Sequence, residues 1–238
     1  MFPDDLRKDP SAPRTAQTRR PASRITVLAG HYGSGKTTLA VHLALNLRQH
    51  HPRVTLCDLD IVNPYFRSVG NRDLLESAGV RVIASPLAGT SVETPGFPPE
   101  AASVFDDTGA AAVIDVGGDD RGALAMGRYS EQMRHADAAV LLVINRYRPF
   151  SSGAKDTCEI CREIEAAGKF RFTGIVNNSN LGAETTAEDV LSSLPYSEEI
   201  CQKLKIPLIA VSAMRSLGPA LQGAAENLWL LDMTANSP

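Results

Sequence analysis

The stretch "GHYGSGKTT", residues 30–38, lies between a short apolar run at residues 25–29 and an amphipathic run that begins at Leu39. It matches the Walker A pattern G-x-x-x-x-G-K-[ST] in full. The apolar run is typical of a buried strand and the amphipathic run of a helix, which is the context that this motif requires. The stretch therefore predicts a loop that binds the phosphates of a nucleotide.

The chemistry of phosphate binding explains the residue types in this loop. Glycines let backbone N–H groups turn inward around phosphate oxygens, and the following helix adds the partial positive charge of its N-terminus. We expect Lys36 to reach the β and γ phosphates and the hydroxyl of Thr37 to bind Mg²⁺. The expected nucleotide contacts in this segment are Gly30, His31, Gly33, Ser34, Gly35, Lys36, Thr37 and Thr38.

Apolar runs and helical patterns alternate along the rest of the chain. The runs mostly lack the strict polar alternation of half-exposed strands, so we expect strands that are covered on both faces. Those after residues 25–29 are 53–57, 80–84, 111–116, 138–144, 172–177 and 206–211, with helical patterns at 36–49, 72–78, 122–135, 154–167 and 187–204. This alternation predicts an α/β fold with a parallel sheet.

Length and composition limit the classes of protein. The 238 residues favour one large domain, residues 24–238, after a tail at residues 1–23 that we expect to be disordered. A net charge of −3 gives no reason to expect nucleic acid as the main partner. No apolar stretch approaches the roughly 18 residues of a transmembrane helix. Four cysteines do not make a disulfide framework, and a cytoplasmic location fits best.

Two acidic segments follow buried runs and supply candidates for metal and water binding. "AAVIDVGG" contains Asp115, which we expect to hold Mg²⁺; the alternative is an aspartate that caps a turn. "LCDLDIVNPYFR" places Asp58 and Asp60 after the second run, where they suit Mg²⁺ binding and water positioning. The alternative there is a turn stabilised by aspartate side chains, and it applies mostly to Asp58.

Three blocks, "GHYGSGKTTLAVHLAL", "VTLCDLDIVNPYF" and "AAVIDVGG", carry a family resemblance, and "AVLLVINRYRPFSS" and "FTGIVNNSNLG" support it. With them the chain resembles the MinD/ParA-type P-loop ATPases. Their class also includes the signal-recognition GTPases, the nitrogenase iron protein and the nickel-insertion ATPases. The similarity spans about residues 25–211.

The resemblance implies a three-layer sandwich with a mainly parallel sheet of about seven strands, in which the Asp115 strand lies beside the strand of the phosphate loop. It implies a homodimer that closes over two nucleotides. By the family's motifs, Lys36, Asp60 and Asp115 are the catalytic set, with Asp60 orienting water, and Thr37, Asp60 and Asp115 are the metal set. Asn178 matches the asparagine that contacts the base, and Asn177 is the alternative one position earlier.

His31 departs from the family pattern. The family's loop reads G-K-G-G-x-G-K-[ST], and its first lysine reaches the partner's nucleotide across the dimer; here that position holds His31. Either the contact is absent or another cation supplies it. Arg67 and Arg121 are candidates, because an arginine fork suits phosphate, and protonated His31 is a third. His31 as a spectator at the rim of the loop stays open.

The base and the reaction follow from weaker signals. The guanine motif [NT]-K-x-D has no counterpart in "NNSN", residues 177–180, so we expect ATP. The leading interpretation is a Mg²⁺-dependent ATPase that acts as a dimeric nucleotide switch on a partner protein. One alternative is an ATP-dependent ligase or kinase of the dethiobiotin or cobyrinate synthetase type, with residues 89–99 and 146–148 forming the acceptor pocket.

Two further signals favour packing over binding. A metal-insertion chaperone would need soft ligands, and only Cys158 and Cys161 offer them; their spacing within a helical pattern favours core packing instead. Residues 217–233 read as a helix that packs with Trp229 and Leu230 inward, because the basic residues of a membrane-docking helix are missing. We therefore expect ATP, Mg²⁺ and a partner protein or small acceptor as ligands, without strong evidence for membrane or nucleic acid.

Overall fold

The computed structural model describes residues 23–59, 69–84, 99–118, 120–225 and 227–232. Several predictions fall outside these ranges and are not addressed by the fold. They concern the tail at residues 1–22, the aspartate Asp60, the arginine Arg67 and the part of the alternative acceptor pocket at residues 89–98. The side chain of Arg121 also lies outside the described part.

Within the described part, eight strands form one sheet in the order β3-β2-β4-β1-β5-β6-β7-β8. Every neighbouring pair is parallel. The strands are β1 (Ile25–Ala29), β2 (Val54–Leu59), β3 (Val80–Ala84), β4 (Ala111–Val116), β5 (Ala139–Ile144), β6 (Gly174–Asn177), β7 (Leu208–Met214) and β8 (Leu228–Leu231). The predicted α/β fold with a parallel sheet is confirmed.

Helices connect the strands and cover both faces of the sheet. They are α1 (Lys36–Arg48), α2 (Val69–Ser77), α3 (Pro99–Asp106), α4 (Asp120–Met126), α5 (Ser130–His135), α6 (Ala154–Gly168), α7 (Ala187–Ser192), α8 (Leu194–Leu204) and α9 (Gly218–Leu221). No helix among the described residues combines the length and the apolar character needed to cross a membrane.

The side chains of β1 alternate between two core layers. Ile25, Val27 and Ala29 join the layer that contains residues of α4, α5, α6 and α8, whereas Leu28 joins the layer under α1 and α2. Successive side chains of a strand point to opposite faces, so a strand covered on both sides is apolar throughout. This explains the unbroken apolar runs in the sequence and fixes β1 in the middle of the sheet.

The predicted helix at the C-terminal end is wrong, because residues 228–231 form an eighth strand beside β7. Trp229 is buried as predicted, with 5% of its surface exposed, but Leu230 is only partly covered and packs near Gly218. Pairing with β7 satisfies the backbone groups on one side of this short run. The sheet therefore has one strand more than the seven runs predicted.

Two predicted helices are interrupted. The pattern at residues 122–135 becomes α4, a 3-10 turn at Gly127–Tyr129 and α5. A Cβ on Gly127 would lie 3.0 Å from the carbonyl oxygen of Gly168, so the turn brings this backbone close to α6. The pattern at residues 187–204 divides at Ser193 into α7 and α8, because Pro195 favours a helix start there.

Candidate functional site

The phosphate loop joins β1 to α1 at the carboxyl edge of the sheet. Gly35 has φ of 84°, and a Cβ there would lie 2.3 Å from Nδ2 of Asn178. A side chain at this position would therefore collide with the neighbouring loop, which explains the glycine before Lys36. β1 lies between β4 and β5, so the ends of both neighbouring strands border the loop.

Lys36 lies under the loop that precedes it. Only 6% of Lys36 is exposed, and its Nζ donates a hydrogen bond to the carbonyl oxygen of His31 at 3.1 Å. The ammonium is thus held at the centre of the loop, where the main-chain N–H groups of a phosphate loop converge. This geometry suits capture of a phosphate chain.

Thr37, in the first turn of α1, contacts Asp115 of β4. The hydroxyl of Thr37 donates to Oδ2 of Asp115 at 2.6 Å, and Asp115 is 1% exposed. Asp58 is the register partner of Asp115 on the neighbouring strand β2 and is 4% exposed. This set of hard oxygen donors beside Lys36 fits Mg²⁺, which usually takes one or two protein ligands together with water and phosphate oxygens.

The segment after β4 packs directly on the phosphate loop. A Cβ on Gly118 would lie 2.7 Å from Cα of Tyr32 and 3.0 Å from Nζ of Lys36. The backbone after Asp115 therefore approaches the loop as closely as glycine permits. This segment and Lys36 are placed to border the γ-phosphate of a nucleotide bound in the loop.

A cavity of about 370 Å³ opens beside the loop. It is bounded by Gly33, Gly35 and Thr38 and by two segments at the ends of β6 and β7, residues 178–182 and 212–214. Such a space between a phosphate loop and the carboxyl ends of parallel strands is where the base of a nucleotide would lie. Asn178 lines the cavity, whereas Asn177 is fully buried and its Nδ2 donates to Oγ of Ser193.

Asn178 connects this cavity to the phosphate loop. Its Nδ2 donates to the carbonyl oxygen of Ser34 at 2.7 Å, and its Oδ1 accepts from the hydroxyl of Ser212. The side chain is 4% exposed and has further hydrogen-bonding capacity on both atoms. Sequence reasoning missed Ser212, because it lies in an apolar strand and no motif marks it.

A charged pair lies at the far end of the cavity. Nε and Nη2 of Arg215 donate to the two carboxylate oxygens of Asp232 at 2.6 and 2.9 Å. These hydrogen bonds lower the pKa of Asp232. The backbone N–H of Asp232 donates to Nδ1 of His42 at 3.4 Å, and burial lowers the pKa of that imidazole. Sequence reasoning missed this cluster, which tertiary pairing of β7 with β8 creates.

His31 turns toward its neighbours in the chain and in the fold. Its Nδ1 lies 3.0 Å from the carbonyl oxygen of Tyr32, and its ring centroid is 5.7 Å from that of Phe150. The segment between β5 and α6 therefore contacts the phosphate loop at the position that holds lysine in the family pattern. The other two cation candidates, Arg67 and the side chain of Arg121, are not described.

Cys158 and Cys161 face the protein core. They are 2% and 1% exposed and belong to the apolar cluster between α6 and the sheet. Burial raises the pKa of both thiols, that of Cys161 to about 12. Among the described residues, no group of three or more His, Cys, Asp or Glu side chains is arranged to hold a metal ion. The geometry is that of two packing residues.

Solved structures with a similar fold are P-loop proteins of signal recognition. The signal recognition particle 54 kDa protein from Aeropyrum pernix K1, in complex with GDP, is 20% identical, with a TM-score of 0.54, over 84% of this chain and 43% of that one. The cell division protein FtsY from Thermotoga maritima is 18% identical, with a TM-score of 0.51, over 81% and 63%. The chain thus spans less than two thirds of either protein, and the likeness is one of fold. A search of curated proteins found no match.

The family is shown by the sequence. Residues 25–205 match the family described as "CbiA: CobQ/CobB/MinD/ParA nucleotide binding domain". The matched stretch is well over half of the 238 residues and includes the phosphate loop, Asp115 and Asn178. It confirms the resemblance to MinD and ParA that the three sequence blocks indicate. The chain belongs to the CobQ/CobB/MinD/ParA family of nucleotide-binding domains.

Proposed function

We propose that this protein is a Mg²⁺-dependent ATPase that acts as a dimeric nucleotide switch on a partner protein. The observation that carries the proposal is the 2.6 Å hydrogen bond between Thr37 and Asp115 beside the buried Lys36. A hydroxyl and a carboxylate in contact at the start of α1 are suited to hold one cation between them and the phosphates.

Each residue of the site has a role in this reaction. The loop N–H groups and Lys36 would neutralise the phosphates, and Thr37 and Asp115, which are in contact, would hold Mg²⁺. The bound metal would supply further neutralisation of phosphate charge. Asp60, two positions after the buried Asp58, orients water in this proposal. Positioning and charge stabilisation account for nearly all catalysis in phosphoryl transfer.

The cavity supports adenine as the base. Residues 177–182, "NNSNLG", carry no carboxylate that would accept from the N1–H and amino group of guanine. Asp232 does line the cavity, but Arg215 engages both of its carboxylate oxygens. The amide of Asn178 can donate and accept, as adenine requires.

Calorimetry with Mg²⁺ present tests nucleotide binding and the choice of base. We expect heat of binding from ATP, loss of that heat in Lys36→Ala, and weak competition by GTP. Tighter binding of GTP than of ATP would overturn the choice of adenine. Unchanged ATP binding in Lys36→Ala would overturn the site itself.

The surface around the loop supports a dimer that closes over the nucleotide. Tyr32 and Phe150 are 63% and 71% exposed. Tyr32 belongs to the phosphate loop, and Phe150 lies beside the loop because its ring contacts that of His31. Large apolar side chains on such a face favour association. We expect Asp60→Ala to form dimers with ATP and monomers with ADP on a sizing column with light scattering. A monomer in both states would contradict the switch.

Stimulation assays separate this proposal from a small-molecule ligase or kinase. In the acceptor pocket of that alternative, Arg146 would bind the substrate, but its Nη1 donates to the carbonyl oxygen of Ser192 at the end of α7. We therefore expect protein partners captured by ATP-bound Asp60→Ala to stimulate hydrolysis. Stimulation by small carboxylates alone would favour the ligase.

A further inference from the structure

Arg148 lies against the phosphate loop from the segment between β5 and α6. Its Nε donates to the carbonyl oxygen of Gly33 at 2.8 Å, and a Cβ on Gly33 would lie 3.5 Å from the same Nε. Arg148 also lines the 370 Å³ cavity. The Arg148 side chain thus borders both the loop and the cavity beside it, although Arg148 and Gly33 are 115 positions apart in the sequence.

The backbone that carries Arg148 is fixed by its neighbours. The N–H of Tyr147 donates to Oδ1 of Asn145 at 3.0 Å, and the Tyr147 hydroxyl donates to the carbonyl oxygen of Asp189 at 2.7 Å. The N–H of Ser151 donates to the carbonyl oxygen of Arg148 at 3.1 Å. The guanidinium is therefore presented from an anchored segment, which reduces the entropy lost when it contacts a ligand.

The position of Arg148 in the cavity indicates which part of a nucleotide it would meet. Its Nε is bonded to the carbonyl oxygen of Gly33, which holds one edge of the guanidinium against the loop. Arg148 lines the cavity together with apolar side chains that include Leu181, Met214 and Leu231. Since this is the cavity in which the base would lie, Arg148 is placed to contact the base.

We infer that Arg148 is a wall of the base site and that its guanidinium plane packs on the ring of the bound purine. The inference rests on the proposed nucleotide site but holds for either purine. Guanidinium groups stack on aromatic faces and keep their charge while doing so. The described residues offer no hydrogen-bond partner to either Nη of Arg148, so these atoms are available to the ligand. Arg148 is then a base-binding residue and does not replace the lysine of the family loop.

Tripolyphosphate separates contact with the base from contact with the phosphates, because it has no ring. We would measure ATP, ADP and tripolyphosphate binding by calorimetry for the wild type, Arg148→Ala and Arg148→Lys. In Arg148→Ala, the affinities for ATP and ADP should fall by the same factor, about 3- to 30-fold. The affinity for tripolyphosphate should stay within the error of the wild type. Arg148→Lys should also lose affinity for ATP, because it keeps the charge but not the plane.

Arg134→Ala is the matched control, since it removes one exposed arginine from α5 and should leave all three affinities unchanged. Retained tripolyphosphate binding shows that the loop of each variant is folded. An equal loss for tripolyphosphate and ATP would overturn the inference in favour of a phosphate contact. Wild-type ATP affinity in Arg148→Ala would overturn it outright. A wild type that binds neither ATP nor GTP would instead overturn the proposed function, and no variant is needed to see this.

Discussion

Asp58 and Asp115 are register partners at the carboxyl ends of the neighbouring strands β2 and β4, and both are almost fully buried. Neighbouring strands lie roughly 4.8 Å apart, so two carboxylates share a small volume next to Thr37. Carboxylates this close together suit a divalent cation, which the proposed metal site would supply. We therefore expect the folded protein to bind Mg²⁺ even without nucleotide.

Asp58→Asn should therefore weaken stabilisation by Mg²⁺. At a free concentration about five times the dissociation constant, the wild type should gain about 1 kcal/mol of unfolding free energy. This corresponds to a rise in melting temperature of roughly 2–4 °C. The rise should be smaller in Asp58→Asn and unchanged in the control Asp107→Asn, whose partner Arg53 lies on a different surface of the fold. Equal rises in all three proteins would contradict the shared site.

Asn178→Ala should destabilise the fold and loosen the phosphate loop together. The substitution removes the donor to the carbonyl oxygen of Ser34 and leaves the hydroxyl of Ser212 with only its longer contact, 3.3 Å, to the carbonyl oxygen of Asn177. Loss of buried hydrogen bonds should cost about 1–3 kcal/mol in urea denaturation. ATP affinity should fall as well. Ser212→Ala removes only one of the two bonds, so it should lower stability less and retain more affinity. An Asn178→Ala protein with wild-type ATP affinity would show that the loop does not depend on this amide.

Gly118→Ala should impair hydrolysis. The added methyl group would meet the backbone of Tyr32 at 2.7 Å, so either the loop or the segment after β4 must shift. Displacements of this size at a reacting centre reduce turnover by up to about 100-fold. Gly109→Ala is the control, because its methyl group would meet the mobile end of Arg53. Comparable ATPase rates in both variants would mean that the approach of Gly118 to the loop has no role.

The buried cysteines should resist thiol reagents in the native state. Burial raises the pKa of Cys57 and of Cys161 to about 12, so at pH 8 the reactive thiolate is rare. We expect Cys201, which is only partly buried, to react first with a disulfide reagent, and all four thiols to react in urea. Fast native labelling of Cys161, or stoichiometric zinc in the purified protein, would contradict the packing role.

The raised pKa values of the buried thiols also make the free energy of unfolding depend on pH. The unfolded thiols have their ordinary pKa, near 9, whereas the folded values of Cys57 and Cys161 lie near 12. A raised folded pKa means that the contribution to stability is complete below pH 9 and is lost as the pH rises toward 12. Denaturation at pH 7, 9 and 11 should show this loss above pH 9. Cys57→Ala, measured against its own value at pH 7, should show a smaller loss.

Local sequence was sufficient where a single segment determines the structure. The phosphate loop, the strand ending near Asp115 and the parallel alternation of strands and helices could all be predicted, because motif and periodicity act over a few residues. The strand at residues 228–231 could not be predicted in this way. A four-residue apolar run has no period that distinguishes strand from helix, and only pairing with β7 decides it.

The site shows the same division. Lys36, Thr37 and Asp115 lie in motifs, and the structure brings them together. Arg148, which the sequence places only in the alternative acceptor pocket, and Ser212 reach the site through contacts with Gly33 and Asn178, which are 115 and 34 positions away. No pattern in one sequence reports such pairs, because the topology of the sheet creates them.

Trp229 is the only tryptophan of the 238 residues, and it lies inside β8, two positions before Leu231 on the wall of the cavity. Its side chain is 5% exposed, so its fluorescence arises from a buried indole that unfolding would expose to water. We expect the fluorescence of this single tryptophan to change on unfolding and, because β8 borders the cavity, on nucleotide binding there. Titrations and stopped-flow mixing would then follow binding and refolding without an attached dye.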